Sequence, residues 1–379
     1  MSLAIRELEK TYAGDSEGID GFLAEHSFPL QEGTTTTFVY RGEAEEVHLL
    51  HWIFGLESTL AFTKLGDSDL WYLVMELPEL SRVEYKLDVV RDGEHKWIRD
   101  PLNPLLAHDP FGANSVYQGV GYETPEWTVP DEEARVGDLE EIAFRSEAFG
   151  EERTVQVYLP ARYRKNRRYP VLIVHDGSDY LRYAGLKTVL DNLIFRLEIP
   201  ELLVAMTDSA DRFGEYTSNP NHDRFIAQEV PAELERRFPI DPDPSAWGLM
   251  GASLGAVATL SAAWRNPGRF GKLLMQSGSF VFTDIGDRNW RGPQWDGVVG
   301  LMNAFREAPG RPAERLFVSC GIYESLIYEN RSLVPILQAT GMDLRYVEAR
   351  DGHNWENWRD RLRVGLSWLF PGPLWMVYE

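Results

Sequence analysis

The sequence predicts a mainly parallel α/β sheet flanked by helices, preceded by a smaller antiparallel β domain. Three observations point there. Apolar strand-like segments alternate with helical stretches in the later part of the chain, which is the pattern of a parallel sheet. The earlier part shows a two-residue alternation instead, and 379 residues exceed what one core usually holds. The expected division is residues 1–135 for the β domain with its linker and 136–379 for the α/β domain.

After a helical opening, residues 34–127 alternate as half-buried strands do, with Thr37 and Val39, then Val47, Leu49 and His51, on one parity. Residues 70–77 are rich in aromatic and β-branched side chains, and 82–90 alternate again. Asp92-Gly93 signals a turn before Trp97. Short strands so spaced predict an antiparallel sandwich. From Asp100 through Pro110-Phe111-Gly112 the chain is rich in Pro, Asn and Gly and reads as turning backbone. Pro125, Pro130 and the acidic group Asp131, Glu132, Glu133 mark the boundary. Beyond it, strands are expected at 153–159, 170–175, 202–207, 246–251, 272–276, 316–321 and 343–348. In such sheets functional residues gather beyond the carboxyl ends of the strands.

Composition narrows the function. Lys and Arg number 38 against 59 Asp and Glu, a net charge of -21, which disfavours nucleic acid or anionic membrane as a partner. Twelve tryptophans and 44% hydrophobic residues argue for a folded globular chain. Arg6, Glu7, Glu9 and Lys10 interrupt the first residues, so no secretory pattern is expected, and no stretch is long enough to cross a bilayer. Cys320 is the only cysteine, which excludes an internal disulfide and fits a reducing compartment. The expected location is cytoplasmic.

The strand expected at 246–251 runs into Gly251-Ala252-Ser253-Leu254-Gly255, with a small-residue helix to follow. Gly-X-Ser-X-Gly between strand and helix reads as a nucleophile elbow. The sharp turn exposes the hydroxyl, and the glycines let neighbouring backbones approach. Serine needs a base, normally histidine held by a carboxylate. In the chain order Ser, acid, His of α/β-hydrolases, only His353 follows Ser253. Ten carboxylates lie between them. Glu324 ranks first, because it occupies the loop after the expected strand 316–321; Asp351, close to His353, is the alternative and could cap its own loop.

An acyl-transfer site also needs N–H donors for the oxyanion. Leu254, after the nucleophile, supplies one, and Gly177 in the loop His175-Asp176-Gly177-Ser178-Asp179 is expected to supply the other. Metal binding by His175, Asp176 and Asp179 is a rival reading of that loop, but the spacing matches no closed site well. No metal or organic cofactor is expected.

These residues together resemble the enterochelin (ferric enterobactin) esterase-like branch of the esterase D superfamily, which also contains mycolyltransferases. His175-Asp176-Gly177, Arg212 with Glu215-Tyr216, the elbow, Asn266-Pro267 with Arg269-Phe270-Gly271, Gln276-Ser277-Gly278-Ser279, and Gly352-His353 with Trp358-Arg359 follow the order of that family's motifs. The resemblance implies an α/β-hydrolase domain with Ser253 as nucleophile, His353 as base, Glu324 at the acid position and backbone donors near Gly177 and at Leu254. It implies a serine ester hydrolase acting on a small-molecule ester such as a siderophore ester. An acyltransferase, a feruloyl or acetyl sugar esterase, and an inactive glycan- or partner-binding protein are the alternatives.

The β domain resembles the early-set immunoglobulin-like domain of these esterases. His51-Trp52-Ile53-Phe54-Gly55-Leu56 departs from the Asn-Gly-Trp turn of glycan-binding relatives, so packing against the hydrolase is expected instead, with Trp52, Trp71 and Trp97 in the core or between domains. A second departure follows Ser279, where Phe280-Val281-Phe282 replaces the family's tryptophans. Trp290, Trp295 and Trp355 are candidates to rebuild an apolar substrate pocket, and Arg212, Arg288 and Arg291 to supply positive charge for an anionic acyl or catecholate group.

Overall fold

The computed structural model describes residues 2–12, 14, 16–283 and 292–373. They divide into two units. Unit 1 comprises Met1–Glu123 together with Ile322–Glu324 and Ala349–Asn354; unit 2 comprises Thr124–Gly321, Ser325–Glu348 and Trp355–Glu379.

Unit 1 begins with helices α1 (Ala4–Thr11) and α2 (Glu17–Glu25). Its strands are β1 (Leu30–Glu32), β2 (Thr35–Arg41), β3 (Glu46–His51), β4 (Thr59–Ala61) and β5 (Thr63–Lys64). They continue with β6 (Leu70–Glu76), β7 (Arg82–Arg91), β8 (Glu94–Ile98), β9 (Leu106–Asp109) and β10 (Gly112–Gln118). One sheet has the order β1-β2-β6-β5, the other β4-β3-β7-β10-β9 with β8 on β7. Every strand pairing in these two sheets is antiparallel.

Alternation decides which side chains meet. Phe38, Tyr40 and Trp71 from the first sheet pack with Val47, Leu49, Tyr85 and Leu87 from the second. Phe38 meets Tyr85 edge-on at 5.0 Å. On the opposite parity Val39, Leu70 and Tyr72 pack with Ile5, Leu8, Ile19 and Phe22, so α1 and α2 cover the other face of the first sheet. Asp92 and Gly93 take φ of 52° and 72°, the two left-handed residues of a type I′ hairpin, and join β7 to β8.

The tryptophans correct one expectation. Trp71 is buried, but Trp52 and Trp97 are 51% and 62% exposed. Trp97 stands on β8, which pairs with β7 and leaves almost every side chain in solvent; Trp52 lies in the turn just past the end of β3.

Unit 2 contains β11 (Asp138–Arg145), β12 (Glu152–Leu159), β13 (Val171–His175), β14 (Leu203–Thr207), β15 (Trp247–Ala252), β16 (Lys272–Gln276), β17 (Arg315–Gly321) and β18 (Asp343–Ala349). Its α-helices are α3 (Gly177–Tyr183), α4 (Leu186–Phe195), α5 (Arg212–Tyr216), α6 (Pro220–Arg224) and α7 (Val230–Arg237). They continue with α8 (Leu254–Arg265), α9 (Asp296–Glu307), α10 (Ile327–Ala339) and α11 (Trp355–Leu369). The sheet order is β11-β12-β14-β13-β15-β16-β17-β18. β11, β12 and β14 pair antiparallel, and β14, β13, β15, β16 and β17 pair parallel.

The central strands are apolar on both faces because each face carries its own core. Ile173 and Leu249 belong to one, with α7, α8 and α9; Leu172, Val174 and Met250 belong to the other, with α4 and α11. From β13 the chain goes to β14 on one side and returns to β15 on the other. The carboxyl ends of β13 and β15 therefore meet where the winding reverses, the position at which α/β sheets bind ligands.

The segment expected to be linker packs on unit 2. Asn192 donates to the carbonyls of Trp127 and Val129 at 2.9 and 2.8 Å. β11 was not visible in the sequence: Asp138, Leu139, Glu140 and Glu141 are exposed on an edge strand, and their charges mask the alternation.

Candidate active site

Ser253 sits between β15 and α8 with φ 58° and ψ -121°, a conformation that costs a non-glycine residue free energy and persists only where its surroundings enforce it. The glycines show how. A Cβ on Gly251 would lie 2.3 Å from the carbonyl oxygen of Gly255, and one on Gly255 would lie 3.3 Å from both Asp176 Oδ2 and His175 Cβ. The elbow can thus close only with glycine at 251. Leu254 begins α8, so its N–H belongs to the helix-terminal donors that no intrahelical carbonyl reaches.

The loop after β16 holds the elbow from one side. Ser253 donates its backbone N–H to Gln276 O at 2.9 Å and accepts from Ser279 N at 3.1 Å; the Ser253 and Ser279 hydroxyls are 3.3 Å apart. Ser277, with φ 48°, is fixed by its N–H to Ser319 O and by the Trp358 indole N–H to its hydroxyl at 2.9 Å. Buried Asn330 on α10 grips Gly278 twice, accepting from its N–H at 3.2 Å and donating to its carbonyl at 2.9 Å. Sequence reasoning missed Asn330, which carries no local motif and lies 52 residues away.

The first βα loop holds the other side. Asp176, at φ 55°, caps the turn into α3, and its carboxylate takes a bidentate grip from Arg212 with contacts of 2.9, 3.1 and 2.9 Å. Its backbone N–H donates to Tyr216 Oη at 3.2 Å. The motifs around residues 175 and 212 are therefore one hydrogen-bonded unit. Arg212, part-exposed, also reaches Ala252 O at 3.5 Å, next to Ser253. Gly177 is buried, and a Cβ there would meet Met206 Cβ at 2.3 Å, so glycine is required for α3 to approach β14.

Behind this loop His175 donates Nδ1–H to Met250 O at 3.0 Å and stacks edge-on with Tyr216. Burial, reinforced by neighbouring His222, pushes its pKa down to about 3. It is a neutral structural histidine. Among the described residues no group of three or more His, Cys, Asp and Glu could hold a metal ion.

In unit 1, His353 Nδ1 lies 2.7 Å from Glu324 Oε2; the carboxylate is fully buried and the imidazole 38% exposed. A bond at Nδ1 leaves the basic lone pair on Nε2. Asp351 has other partners: its Oδ1 accepts from Gly352 N at 2.7 Å, Asn354 Nδ2 at 2.8 Å and Arg82 Nη1 at 3.3 Å. Burial raises its pKa to about 6 although Arg82 opposes the shift.

Of the aromatic candidates, Trp355 is buried beside Tyr180, Tyr183 and Trp358 at centroid distances of 5.2, 5.8 and 4.7 Å. Trp295 is part-buried and meets Phe213 edge-on at 5.5 Å. Trp290, Arg288 and Arg291 lie outside the described residues. No helix among the described residues is long and apolar enough to cross a membrane.

A mixed sheet whose winding reverses at β13 and β15, with a strained serine between β15 and α8, defines an α/β-hydrolase fold. The chain belongs to the Esterase family, whose sequence model matches residues 146–369. Among curated relatives, the iron(III) enterobactin esterase of Dickeya dadantii is 25% identical over 301 residues, 73% of this chain and 65% of that enzyme. The uncharacterized protein YjcH of Bacillus subtilis is 32% identical over 148 residues, 37% of this chain and 62% of that protein. The chain thus spans just under two thirds of the length of either. The crystal structure of enterochelin esterase from Shigella flexneri superposes with a TM-score of 0.71 at 21% identity, covering 91% of this chain and 95% of that one. The Shigella enzyme in the presence of enterobactin gives 0.72 at 20% identity, covering 88% and 92%.

Proposed function

We propose that the protein is a serine ester hydrolase. His353 Nε2 takes the proton of the Ser253 hydroxyl, the serine oxygen attacks the ester carbonyl, and the tetrahedral oxyanion is held by the N–H groups of Leu254 and Gly177. Collapse expels the alcohol, protonated by His353. Water then attacks the acyl-enzyme by the same proton path. Glu324 fixes the imidazole tautomer and supports the imidazolium.

The observation that carries this reading is the bond of 2.7 Å between His353 Nδ1 and the buried carboxylate of Glu324, since His353 is the one histidine after Ser253 in the chain. The strained turn at Ser253 and membership of the Esterase family support it.

For substrate we infer a small-molecule ester of the siderophore type, supported by the enterobactin esterases among the relatives. Arg212, Trp290 and Trp355 are the proposed contacts. We assign the cytoplasm as compartment, supported by a single, buried cysteine.

The test is a panel of esters: ferric and iron-free catecholate trilactones, feruloyl and acetyl sugar esters, and p-nitrophenyl acetate, with wild type and Ser253→Ala. Hydrolysis of the trilactones above all others, abolished in the variant, is expected. Preference for feruloyl or acetyl sugars would replace the substrate, transfer to added alcohols would make the protein an acyltransferase, and inertness of the folded wild type would defeat the hydrolase reading.

A further inference from the structure

We propose that Arg82, with Ser81 beside it, is a positioning residue that holds the acid loop and the base loop of the Ser253, His353, Glu324 reading in register; the inference rests on that reading. Unit 1 takes in two short segments from late in the chain, Ile322–Glu324 and Ala349–Asn354. They contain Glu324 and His353.

Both segments are tied to the start of β7. The hydroxyls of Ser81 and Tyr323, the residue before Glu324, are 2.6 Å apart. Arg82 donates its backbone N–H to Arg350 O at 2.8 Å, and its Nη1 donates to Asn354 Oδ1 at 3.0 Å and to Asp351 Oδ1 at 3.3 Å. The residues immediately after His353 and two before it are thus gripped by one guanidinium. The segments also bind each other, through Ile322 N–H to Ala349 O at 2.8 Å and Tyr323 N–H to Asp351 O at 3.2 Å. Phe54 N–H donates to Tyr323 O at 2.8 Å, a second strap from the sandwich onto the residue before Glu324.

The chemistry of the anchor is informative. The Arg82 and Asp351 side chains are only 3% and 4% exposed, and Glu84 is a further partner of Arg82 at 3.1 Å. Buried ion pairs contribute little net stability compared with apolar packing, and their best-attested use is to fix one register. Register is what this pair of loops requires, because a displacement of about 1 Å at a catalytic contact can cost on the order of 10²-fold in rate. Arg82 acts through Asp351 and Asn354, and Ser81 through Tyr323.

The experiment is a set of double-mutant comparisons on the full chain, with kcat and KM for p-nitrophenyl acetate and folding followed by circular dichroism. Arg82→Met is made in wild type and in Glu324→Gln. Alone it should lower kcat on the order of 10²-fold with KM little changed, and Arg82→Lys should recover part of the loss. In the Glu324→Gln background the same change should cost little more, because the contact it maintains is already gone. Equal losses in both backgrounds, or an unchanged kcat in the single variant, would overturn the proposal. Should Arg82→Met fail to fold, Arg82→Lys and Tyr323→Phe give the same comparison with milder changes. Glu324→Gln alone reports on the triad: an undiminished rate there rejects both the triad and this inference, whereas a large loss with additive Arg82 effects rejects only the inference.

Discussion

Glu324, and not the nearer Asp351, is the carboxylate bonded to the His353 imidazole, at 2.7 Å from Oε2 to Nδ1. Asp351 stands two residues before the histidine, but its accepting oxygen is filled by Gly352, Asn354 and Arg82. Proximity in sequence gave way to loop geometry. Glu324→Gln should therefore lower kcat by about 10⁴-fold, since an amide favours the wrong imidazole tautomer. Asp351→Asn, which keeps an accepting oxygen, should lose far less. Steady-state rates of both variants check this, and a larger loss in Asp351→Asn would reassign the acid.

The strain at Ser253 should be measurable as stability. At φ 58° and ψ -121° a glycine is at ease and an alanine is not, so Ser253→Gly should unfold at a higher temperature than Ser253→Ala, by about 1–3 kcal/mol before glycine's entropy loss of about 0.5–1 kcal/mol. A Ser253→Gly variant less stable than Ser253→Ala by the whole of that entropy loss would mean that the turn is unstrained.

Gly251→Ala should be poorly tolerated for a different reason. Its Cβ would lie 2.3 Å from a backbone oxygen, which has no rotamer by which to escape. A loss of about 3 kcal/mol is expected in urea unfolding; a loss within about 0.5 kcal/mol, as for an ordinary surface change, would show that the elbow can spread.

His175 should make the fold acid-sensitive. Its pKa is about 3 in the folded chain and about 6.5 when unfolded, so the unfolded state binds the extra proton between those values. The stability it supports is full above pH ~6.5 and is lost as pH falls toward ~3. His175→Asn, which keeps a donor for Met250 O, should show a shallower fall in unfolding free energy over that window. An unchanged slope would contradict a neutral buried imidazole.

Asp351 should act with the opposite sign. Its folded pKa of about 6 lies above the unfolded value of about 3.9, so its contribution is largest below pH ~4 and is lost as pH rises through ~6. The stability of wild type relative to Asp351→Asn should be greater at pH ~4.5 than at pH ~7. A difference that does not change with pH would count against a protonated Asp351 at the lower value.

What the sequence disclosed follows the range of the interaction involved. Ser253 could be proposed as nucleophile because strand, glycines and small-residue helix are contiguous, and His353 as base because no other histidine follows it. Glu324 could be ranked because a strand ends three residues before it. The Asn330 clamp on Gly278 and the Arg82 grip on Asp351 join residues 52 and 269 apart and leave no local pattern. β11 was hidden because an acidic edge strand looks like linker. Trp52 and Trp97 misled because size favours burial only where a face is covered, and neither the turn after β3 nor β8 is.

The central claim is that Ser253 is an activated nucleophile, and covalent labelling tests it most directly. Wild type incubated with a fluorophosphonate and analysed by intact mass and peptide mapping should gain one phosphonyl group on Ser253, while Ser253→Ala gains none and Glu324→Gln reacts far more slowly. Folded wild type that remains unlabelled, or carries the group on another residue, would contradict the account.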